Sequence, residues 1–194
     1  MRENRVAEAP ALKRRDENGW VRELVERAQR GDRSALEELY LLHFDRIYGY
    51  LHMSVGTRHD AEDLTTQTFV KMLEAIGRFQ WRSVPFSAWL FRIAHNLAMD
   101  HFRANRRWQP EEEIPESAHG EENSAEEEAL ASLGQTSMLA LIDRLSPEQR
   151  QVLTLKFVFR FSNAEAASIL DKTEGAVKSL QHRALASLQK HVTR

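Results

Sequence analysis

The sequence of 194 residues contains no cysteine, which excludes disulfide bonds, thiolate metal sites and cysteine nucleophiles. It also lacks an apolar run long enough to cross a bilayer, and its charged N-terminus is unlike a signal peptide. We therefore expect a cytoplasmic protein with no membrane insertion.

Signatures of catalysis are missing as well. The eight histidines show no HExxH spacing, there is no glycine-rich phosphate loop, and no serine lies in a nucleophile-elbow context. These absences predict a protein that is not an enzyme and that uses no metal or other cofactor.

Positive and negative charges are concentrated in different segments of the chain. The formal net charge is only -2, but basic residues gather at 92–107 and 178–194. The segment 111–128 carries many glutamates and no lysine or arginine. The local charge is therefore more informative than the total.

Helical periodicity dominates the first half of the chain. Residues 1–18 show no sustained period, and we expect them to form a mobile N-terminus. From Trp20 onward apolar residues recur at helical spacing and no stretch alternates as a strand, so residues 19–108 are predicted to form an all-helical bundle. Thr57 is the predicted N-cap of a helix that runs to about Gly77. The predicted core positions of this helix and the next are Ala61, Leu64, Phe69, Met72, Leu73, Ile76, Phe86, Trp89, Leu90, Ile93 and Leu97.

A change of composition divides the chain. Residues 109–129 are rich in glutamate and hold proline and glycine but few large apolar side chains. Such a segment cannot bury enough surface to offset its chain entropy. We predict an acidic flexible linker there and a second helical domain at 130–194.

The segment 162–188 predicts a helix-turn-helix. Ser162 and Glu165 form a capping box, a tight turn follows at Asp171-Lys172, and Thr173 caps the next helix. One face of that helix is apolar; the opposite face would contact DNA, unless it is only the solvated surface of a helical hairpin. The apolar positions are Val177, Leu180, Ala184 and Leu188, and the polar positions are Lys178, Ser179, His182 and Arg183.

Taken together, four segments resemble the extracytoplasmic-function (ECF) group of bacterial RNA polymerase sigma factors, which belong to the sigma-70 family. They are DAEDLTTQTFVKMLEAIGRF at 60–79, FSAWLFRIAHNLAMDHFR at 86–103, LSPEQRQVLTLKF at 145–157 and TEGAVKSLQHRAL at 173–185. The resemblance covers about residues 20–190. It implies a region 2 bundle joined by the acidic linker to a region 4 helix-turn-helix, in a subunit that directs core RNA polymerase to specific promoters and initiates transcription.

The resemblance assigns the helix at 86–107 to the non-template strand of the minus-ten promoter element. Asn96 matches a base-contacting asparagine of the family, and its amide can both donate and accept. Residues 80–85 match a loop that forms a pocket for a flipped base, with Trp81 and Arg82 as candidates. The other candidate minus-ten residues are Trp89, Arg92, His95, Asp100, His101, Arg103, Arg106 and Arg107.

By the same resemblance, residues 60–73 dock on the clamp helices of the polymerase's largest subunit, and the polymerase flap is a second expected contact. Thr66-Gln67 stands where a Gln-Glu pair is common, which removes a candidate charge-assisted contact. The candidate docking residues are Asp60, Glu62, Asp63, Thr66 and Gln67.

The helix at 173–188 is assigned to the minus-thirty-five element. Asp171 stands where a turn glycine is frequent, and aspartate tolerates the left-handed conformation. Leu180 and Leu185 stand where arginines are frequent, which narrows the set of DNA contacts. The candidates are Lys172, Thr173, Lys178, Ser179, His182 and Arg183.

The resemblance also suggests how the protein is used. The acidic linker either threads the basic polymerase cleft toward the RNA exit path or acts only as a solvated tether. An anti-sigma factor is an expected partner, because it could bury the polymerase-binding surfaces of one or both domains.

Two other classes of protein remain open. An autonomous helix-turn-helix regulator would bind duplex DNA without polymerase and usually as a dimer. A helical adaptor that binds only protein would leave the basic row at 92–107 without a purpose.

Overall fold

The part of the chain that the structure describes consists of helices joined by short connections. The computed structural model describes the backbone of residues 9–81, 84–104 and 145–192, and the side chains of 19–81, 84–104 and 145–188. No strand occurs in these residues, which confirms the all-α prediction. Within the same residues, no helix is both long and apolar enough to span a bilayer. The α-helices described are α1 (Ala9–Gln29), α2 (Arg33–Val55), α3 (Arg58–Ala75), α4 (Phe86–Ala104), α5 (Pro147–Leu153), α6 (Asn163–Leu170) and α7 (Glu174–Val192).

Helix α1 begins earlier than the sequence predicted. The apolar period points to a start at Trp20, but the backbone is already helical at Ala9. Residues 9–18 are rich in strong helix formers although they carry no apolar stripe, and Pro10 lies in the first turn, where proline is tolerated. Intrinsic propensity, rather than burial, is the signal that the periodicity analysis missed.

Two adjacent capping residues end α2 and begin α3. Gly56 ends α2 with a φ of 80°, a conformation that costs glycine little. Thr57 caps α3 as predicted, because its hydroxyl accepts a hydrogen bond from the N–H of Asp60. The α-helix ends at Ala75 and continues as one 3₁₀ turn over Ile76–Arg78, so its end lies slightly before the predicted one.

The predicted core positions of α3 and α4 are buried with three exceptions. Trp89 and Ile93 are half-buried, and Leu73 is 52% exposed. The prediction for Leu73 is wrong because Thr65 and Thr68 occupy inward positions of α3 that were counted as polar. Each threonine hydroxyl donates to the carbonyl four residues earlier, over 2.6 and 2.7 Å, which lets the side chain be buried without an unpaired donor.

The second half begins with an interrupted helix. Ser146 caps α5 through a reciprocal capping box with Gln149. After α5 the chain continues through a π-helical turn over Thr154–Val158. Arg160 follows with a φ of 57°, in the left-handed region that residues with a Cβ rarely adopt. The sequence gives no signal for this π turn.

Helices α6 and α7 form the predicted helix-turn-helix. The capping box of Ser162 and Glu165 is present. Asp171 adopts the left-handed conformation with a φ of 55°, which turns the chain between the helices. The four predicted apolar positions of α7 are all buried.

Helix α5 and the π turn pack against α2, and α6 packs against α4. Buried apolar side chains from both halves of the chain form one continuous cluster. The predicted linker at 109–129 and the predicted boundaries at 108 and 130 lie outside the described residues.

Candidate nucleic-acid and polymerase interfaces

Helix α4 presents one polar row to the surface. Arg92, Asn96 and Asp100 follow at intervals of four residues and Arg103 comes three later, so the four share one face. Each is exposed. Arg103 pairs with Asp100 over 3.1 Å, and Arg92 pairs over 3.0 Å with Asp171, which belongs to the turn between α6 and α7. We call these four residues the α4 row.

His95 does not lie on this face. It is only 7% exposed, and its Nδ1 lies 3.1 Å from the hydroxyl oxygen of Tyr50. Burial, together with the nearby cations Lys172 and Arg103, lowers the pKa of His95 to about 4, so the ring is neutral at pH 7. The candidate minus-ten residue His95 therefore does not belong to the α4 row, because this helix position is turned into the core.

His101 connects two predicted surfaces. It is half-buried, and its Nε2 lies 3.5 Å from a carboxylate oxygen of Asp60 on α3. A candidate minus-ten residue and a candidate docking residue thus meet where α3 contacts α4.

The tryptophans before and within α4 belong to an aromatic cluster around Phe79. The ring centroid of Phe79 lies 5.2 Å from that of Trp81 and 4.9 Å from that of Trp89. The guanidinium of Arg22 lies 5.7 Å from the Trp81 ring, and the Nε1 of Trp81 is buried with no hydrogen-bond partner among the described residues. Packing against the bundle therefore accounts for most of the surface of both half-buried rings. The candidates Arg82, Arg106 and Arg107 lie outside the described residues.

Helix α7 presents a second polar row. Lys178 and His182, four residues apart, are exposed, and Ser179 and Arg183 are half-buried. All four lie opposite the buried apolar face of the helix. We call them the α7 row.

The two residues that precede α7 make contacts within the protein. Thr173 caps the helix by accepting a hydrogen bond from the N–H of Ala176 over 3.1 Å. The Nζ of Lys172 lies 3.3 Å from a carboxylate oxygen of Glu148 on α5. The ammonium group of Lys172, a candidate for contact with DNA, therefore already pairs with a carboxylate of the protein.

The candidate docking residues lie on the outer side of α3. Asp60 is half-buried and the other four are exposed. Arg58 pairs with Glu62 over 2.7 Å, and His59 lies 3.6 Å from Asp63. These i, i+4 pairs are exposed, so they contribute little to stability and can be exchanged for contacts with a partner.

An apolar patch lies beside this acidic surface and was missed by sequence reasoning. Val70 and Leu73 of α3 are 47% and 52% exposed, and Tyr40 and Leu41 of α2 are 40% and 66% exposed. The Tyr40 ring contacts the Phe69 ring of α3 with centroids 4.7 Å apart, so the two helices that carry these exposed side chains meet at Tyr40. Such concentrations of exposed apolar surface mark interaction sites. Counting the threonines of α3 as inward-facing would have revealed that Leu73 is exposed.

Each half of the chain matches the model of a known protein family. Residues 39–108 match the model of Sigma-70 region 2, and residues 135–188 match that of Sigma-70, region 4. The ECF RNA polymerase sigma factor BldN of Streptomyces coelicolor is 41% identical over 167 residues, which cover 86% of this chain and 63% of BldN. The ECF RNA polymerase sigma factor SigD of Mycobacterium tuberculosis is 33% identical over 175 residues, covering 87% of this chain and 82% of SigD.

A solved structure shows the same fold. The sigma factor RpoE, in its complex with the anti-sigma factor NepR from Bartonella quintana, superposes with a TM-score of 0.61 at 23% identity. The match covers 81% of this chain and 96% of the RpoE chain. The two region matches, the sequence relatives and the helical architecture agree, and the chain belongs to the ECF group of RNA polymerase sigma factors in the sigma-70 family.

Proposed function

We propose that the protein directs core RNA polymerase to specific promoters and initiates transcription there. The observation that carries this proposal is the pair of polar rows that α4 and α7 present at the surface. Each row lies opposite a buried apolar face, so the core holds the helix that presents it. Two rigid rows on separate helices suit the reading of two separate promoter elements.

The α4 row would contact the opened minus-ten strand. The amide of Asn96 offers a donor and an acceptor to a base edge, and Arg92 and Arg103 supply positive charge for the backbone phosphates. Arg103 is already oriented by its pair with Asp100. Arg106 and Arg107 continue the basic sequence beyond this row.

The α7 row would enter the major groove of the minus-thirty-five element. Lys178 and Arg183 can meet phosphates or guanine edges, and Ser179 and His182 can hydrogen-bond to several base edges. The backbone N–H groups of the first turn of α7, next to Thr173, favour a phosphate at the same end of the helix.

Docking on the polymerase would use α3. The apolar patch of Tyr40, Leu41, Val70 and Leu73 provides area that a partner can remove from water. The acidic residues beside it provide charge that orients the partner. We assign both to the contact with the clamp helices of the largest polymerase subunit.

We further propose that an anti-sigma factor controls the protein. Nothing within the described residues covers the apolar patch, so an inhibitor that binds it would compete with polymerase. A pull-down from native lysate under non-inducing conditions should recover such a partner; recovery of polymerase subunits alone would contradict this part of the proposal.

The decisive experiment is run-off transcription on a library of genomic promoter fragments, with core polymerase in the presence and absence of the protein. We expect specific transcripts only when the protein is present, and fewer of them with Asn96→Ala than with the matched surface variant Glu37→Ala. If core gains no specific initiation while the protein alone shifts duplex DNA, the protein is an autonomous helix-turn-helix regulator.

A further inference from the structure

Helix α1 contacts the segment that leads from α3 to the candidate minus-ten residue Trp81. This helix precedes both regions that match the family. Its apolar side is held in the bundle, since Leu24, Val25 and Ala28 are all buried. The helix is therefore a fixed support for the polar side chains that it directs toward the neighbouring chain.

Gln29, the last residue of α1, binds the backbone at the point where the chain leaves α3. Its Nε2 donates hydrogen bonds to the carbonyl of Ile76 over 3.0 Å and to that of Phe79 over 2.8 Å. The Ile76 carbonyl also accepts the N–H of Phe79 over 3.0 Å, which closes the 3₁₀ turn. Phe79 itself is extended, with a φ of -63° and a ψ of 135°. The amide nitrogen has one hydrogen for each carbonyl, so a single side chain fixes the direction in which the chain leaves the helix.

The ring of Phe79 connects this backbone to Trp81. The two rings meet edge to face, with centroids 5.2 Å apart and an interplanar angle of 80°. The Phe79 ring also lies 5.3 Å from Phe86 and 4.9 Å from Trp89, both on α4. Phe79 thus lies between Trp81 and the helix that presents the α4 row. A shift of the Phe79 backbone would therefore move the Trp81 ring relative to that row.

Arg22 is the second residue of α1 that contacts this segment. Its guanidinium carbon lies 5.7 Å from the Trp81 ring, where a cation is attracted by the π system. Glu26, one turn later on the same helix, orients this guanidinium through a pair of 3.1 Å. Arg22 and Gln29 are two turns apart and share one face of α1. That face therefore contacts both the backbone before Trp81 and its ring.

We propose that Gln29 and Arg22 are positioning residues for the minus-ten element, which fix the orientation of Trp81 and thereby set its preference among bases. Stacking on an unconstrained aromatic ring tolerates any sequence, because every base has a π face. A ring held in one orientation favours the bases that fit beside it, and half-buried Trp81 keeps part of its ring accessible. Neither positioning residue has to touch DNA. This inference rests on the proposed function, because the preference is expressed on promoters.

Gln29→Ala tests the effect on base preference. Run-off transcription would use the full protein, core polymerase and a set of promoters in which each base of the two elements is changed in turn. We expect the preference at one or two minus-ten positions to fall by about threefold to tenfold, and the preferences in the minus-thirty-five element to stay unchanged. A purely structural role would lower the active fraction, and so reduce initiation at all promoters by the same factor. Glu23→Ala, at another exposed position of α1, is the matched control.

A double-mutant cycle tests whether the effect passes through Trp81. Gln29→Ala/Trp81→Ala should show the same base preferences as Trp81→Ala alone, since no ring remains to be oriented. Arg22→Ala should behave in the same way, and Arg30→Ala removes an exposed cation from the same helix as its control. Circular dichroism verifies that each variant is folded. Additive losses of preference in both cycles would contradict the positioning role.

Amide hydrogen exchange gives a readout that does not depend on polymerase. The N–H of Phe79 should exchange at least about threefold faster in Gln29→Ala than in Glu23→Ala, because the 3₁₀ turn loses its support. If wild type initiates with a minus-ten preference that Gln29→Ala retains, or if exchange at Phe79 is unchanged, the inference is overturned and the sigma function stands. If wild type does not initiate, the proposed function fails and the positioning role fails with it.

Discussion

The hydroxyl oxygen of Tyr50 and the Nδ1 of His95 lie 3.1 Å apart in a region where Tyr50 is fully buried. The contact ties α2 to α4 next to the α4 row. Since the neighbouring residue Asn96 is exposed, the buried histidine fixes the rotation of the helix that presents the candidate base-reading amide. Tyr50 is in this sense a positioning residue.

Replacing Tyr50 by phenylalanine should therefore destabilise the fold. Tyr50→Phe leaves Nδ1 of His95 buried without its partner, and an unpaired buried group costs about 1–3 kcal/mol. Urea denaturation followed by circular dichroism would measure the free energy of unfolding. Tyr48→Phe is the matched control, because the structure shows no hydrogen bond of the half-buried Tyr48 hydroxyl to another described residue. Equal effects of the two substitutions would contradict the assignment.

Stability should fall as the pH drops from about 6.5 to about 4. Burial lowers the pKa of both His43 and His95 to about 4; Arg46 adds to the effect at His43, while Lys172 adds to it at His95. The unfolded chain then binds protons in this window while the folded chain does not, so the free energy of unfolding decreases with decreasing pH. Each histidine lowers the free energy of unfolding by up to about 3 kcal/mol over this pH range, because one pKa unit corresponds to about 1.4 kcal/mol. Urea denaturation at several pH values checks this, and His95→Gln should remove about half of the dependence. A flat profile between pH 6.5 and 4 would rule it out.

Asn96→Ala should weaken promoter-specific initiation by about tenfold to a hundredfold, which is the effect of losing about 1–3 kcal/mol of base recognition. The side chain is exposed, so stability should be unaffected. Run-off transcription at fixed core concentration gives the loss, and thermal unfolding verifies the fold. Glu37→Ala on α2 should leave initiation unchanged. A loss explained by weaker binding to core polymerase, rather than to DNA, would exclude base reading.

Lys178→Ala should weaken binding to promoter DNA about equally for different sequences. If Lys178 contacts a phosphate, the slope of log affinity against log salt should become less steep by about one unit. Fluorescence anisotropy of the reconstituted polymerase complex on promoter fragments, at several salt concentrations, measures this slope. An unchanged slope with a changed base preference would instead indicate that Lys178 contacts a base edge.

Leu73→Asn should reduce the affinity for core polymerase by about tenfold, since it removes apolar area from the patch. Leu73 is 52% exposed, so the folded state should tolerate the change. Titration of labelled protein with core polymerase gives the affinity. The control is Leu64→Asn, a buried position of the same helix, which should unfold the protein rather than weaken docking selectively. Full affinity of Leu73→Asn would remove the patch from the docking surface.

The features that the sequence predicted correctly are those specified by short-range signals. The capping box of Ser162 and Glu165, the left-handed Asp171 and the apolar spacing of α7 are each encoded within a few residues. The α4 row could be predicted for the same reason, because residues four apart on a helix share a face. These signals need no knowledge of distant parts of the chain.

The features that the sequence missed depend on contacts between distant residues. His95 reads as a surface residue until Tyr50, 45 positions earlier, provides a buried partner. Leu73 is a local exception: it reads as a core residue until the buried threonines of its own helix are counted as inward-facing. The packing of Arg46 against Phe159 joins residues 113 positions apart, and no local pattern encodes it.

The π-helical turn at Thr154–Val158 makes the connection between the halves tolerant of a change in chain length. A π turn accommodates one residue more than an α-helix would, so the side chains that follow it keep their direction despite the extra residue. Deleting a single residue here should restore an α-helix and leave Phe159 facing Arg46, and both polar rows would keep their sequences. Relatives that are one residue shorter at this point should therefore keep the same packing between the two halves.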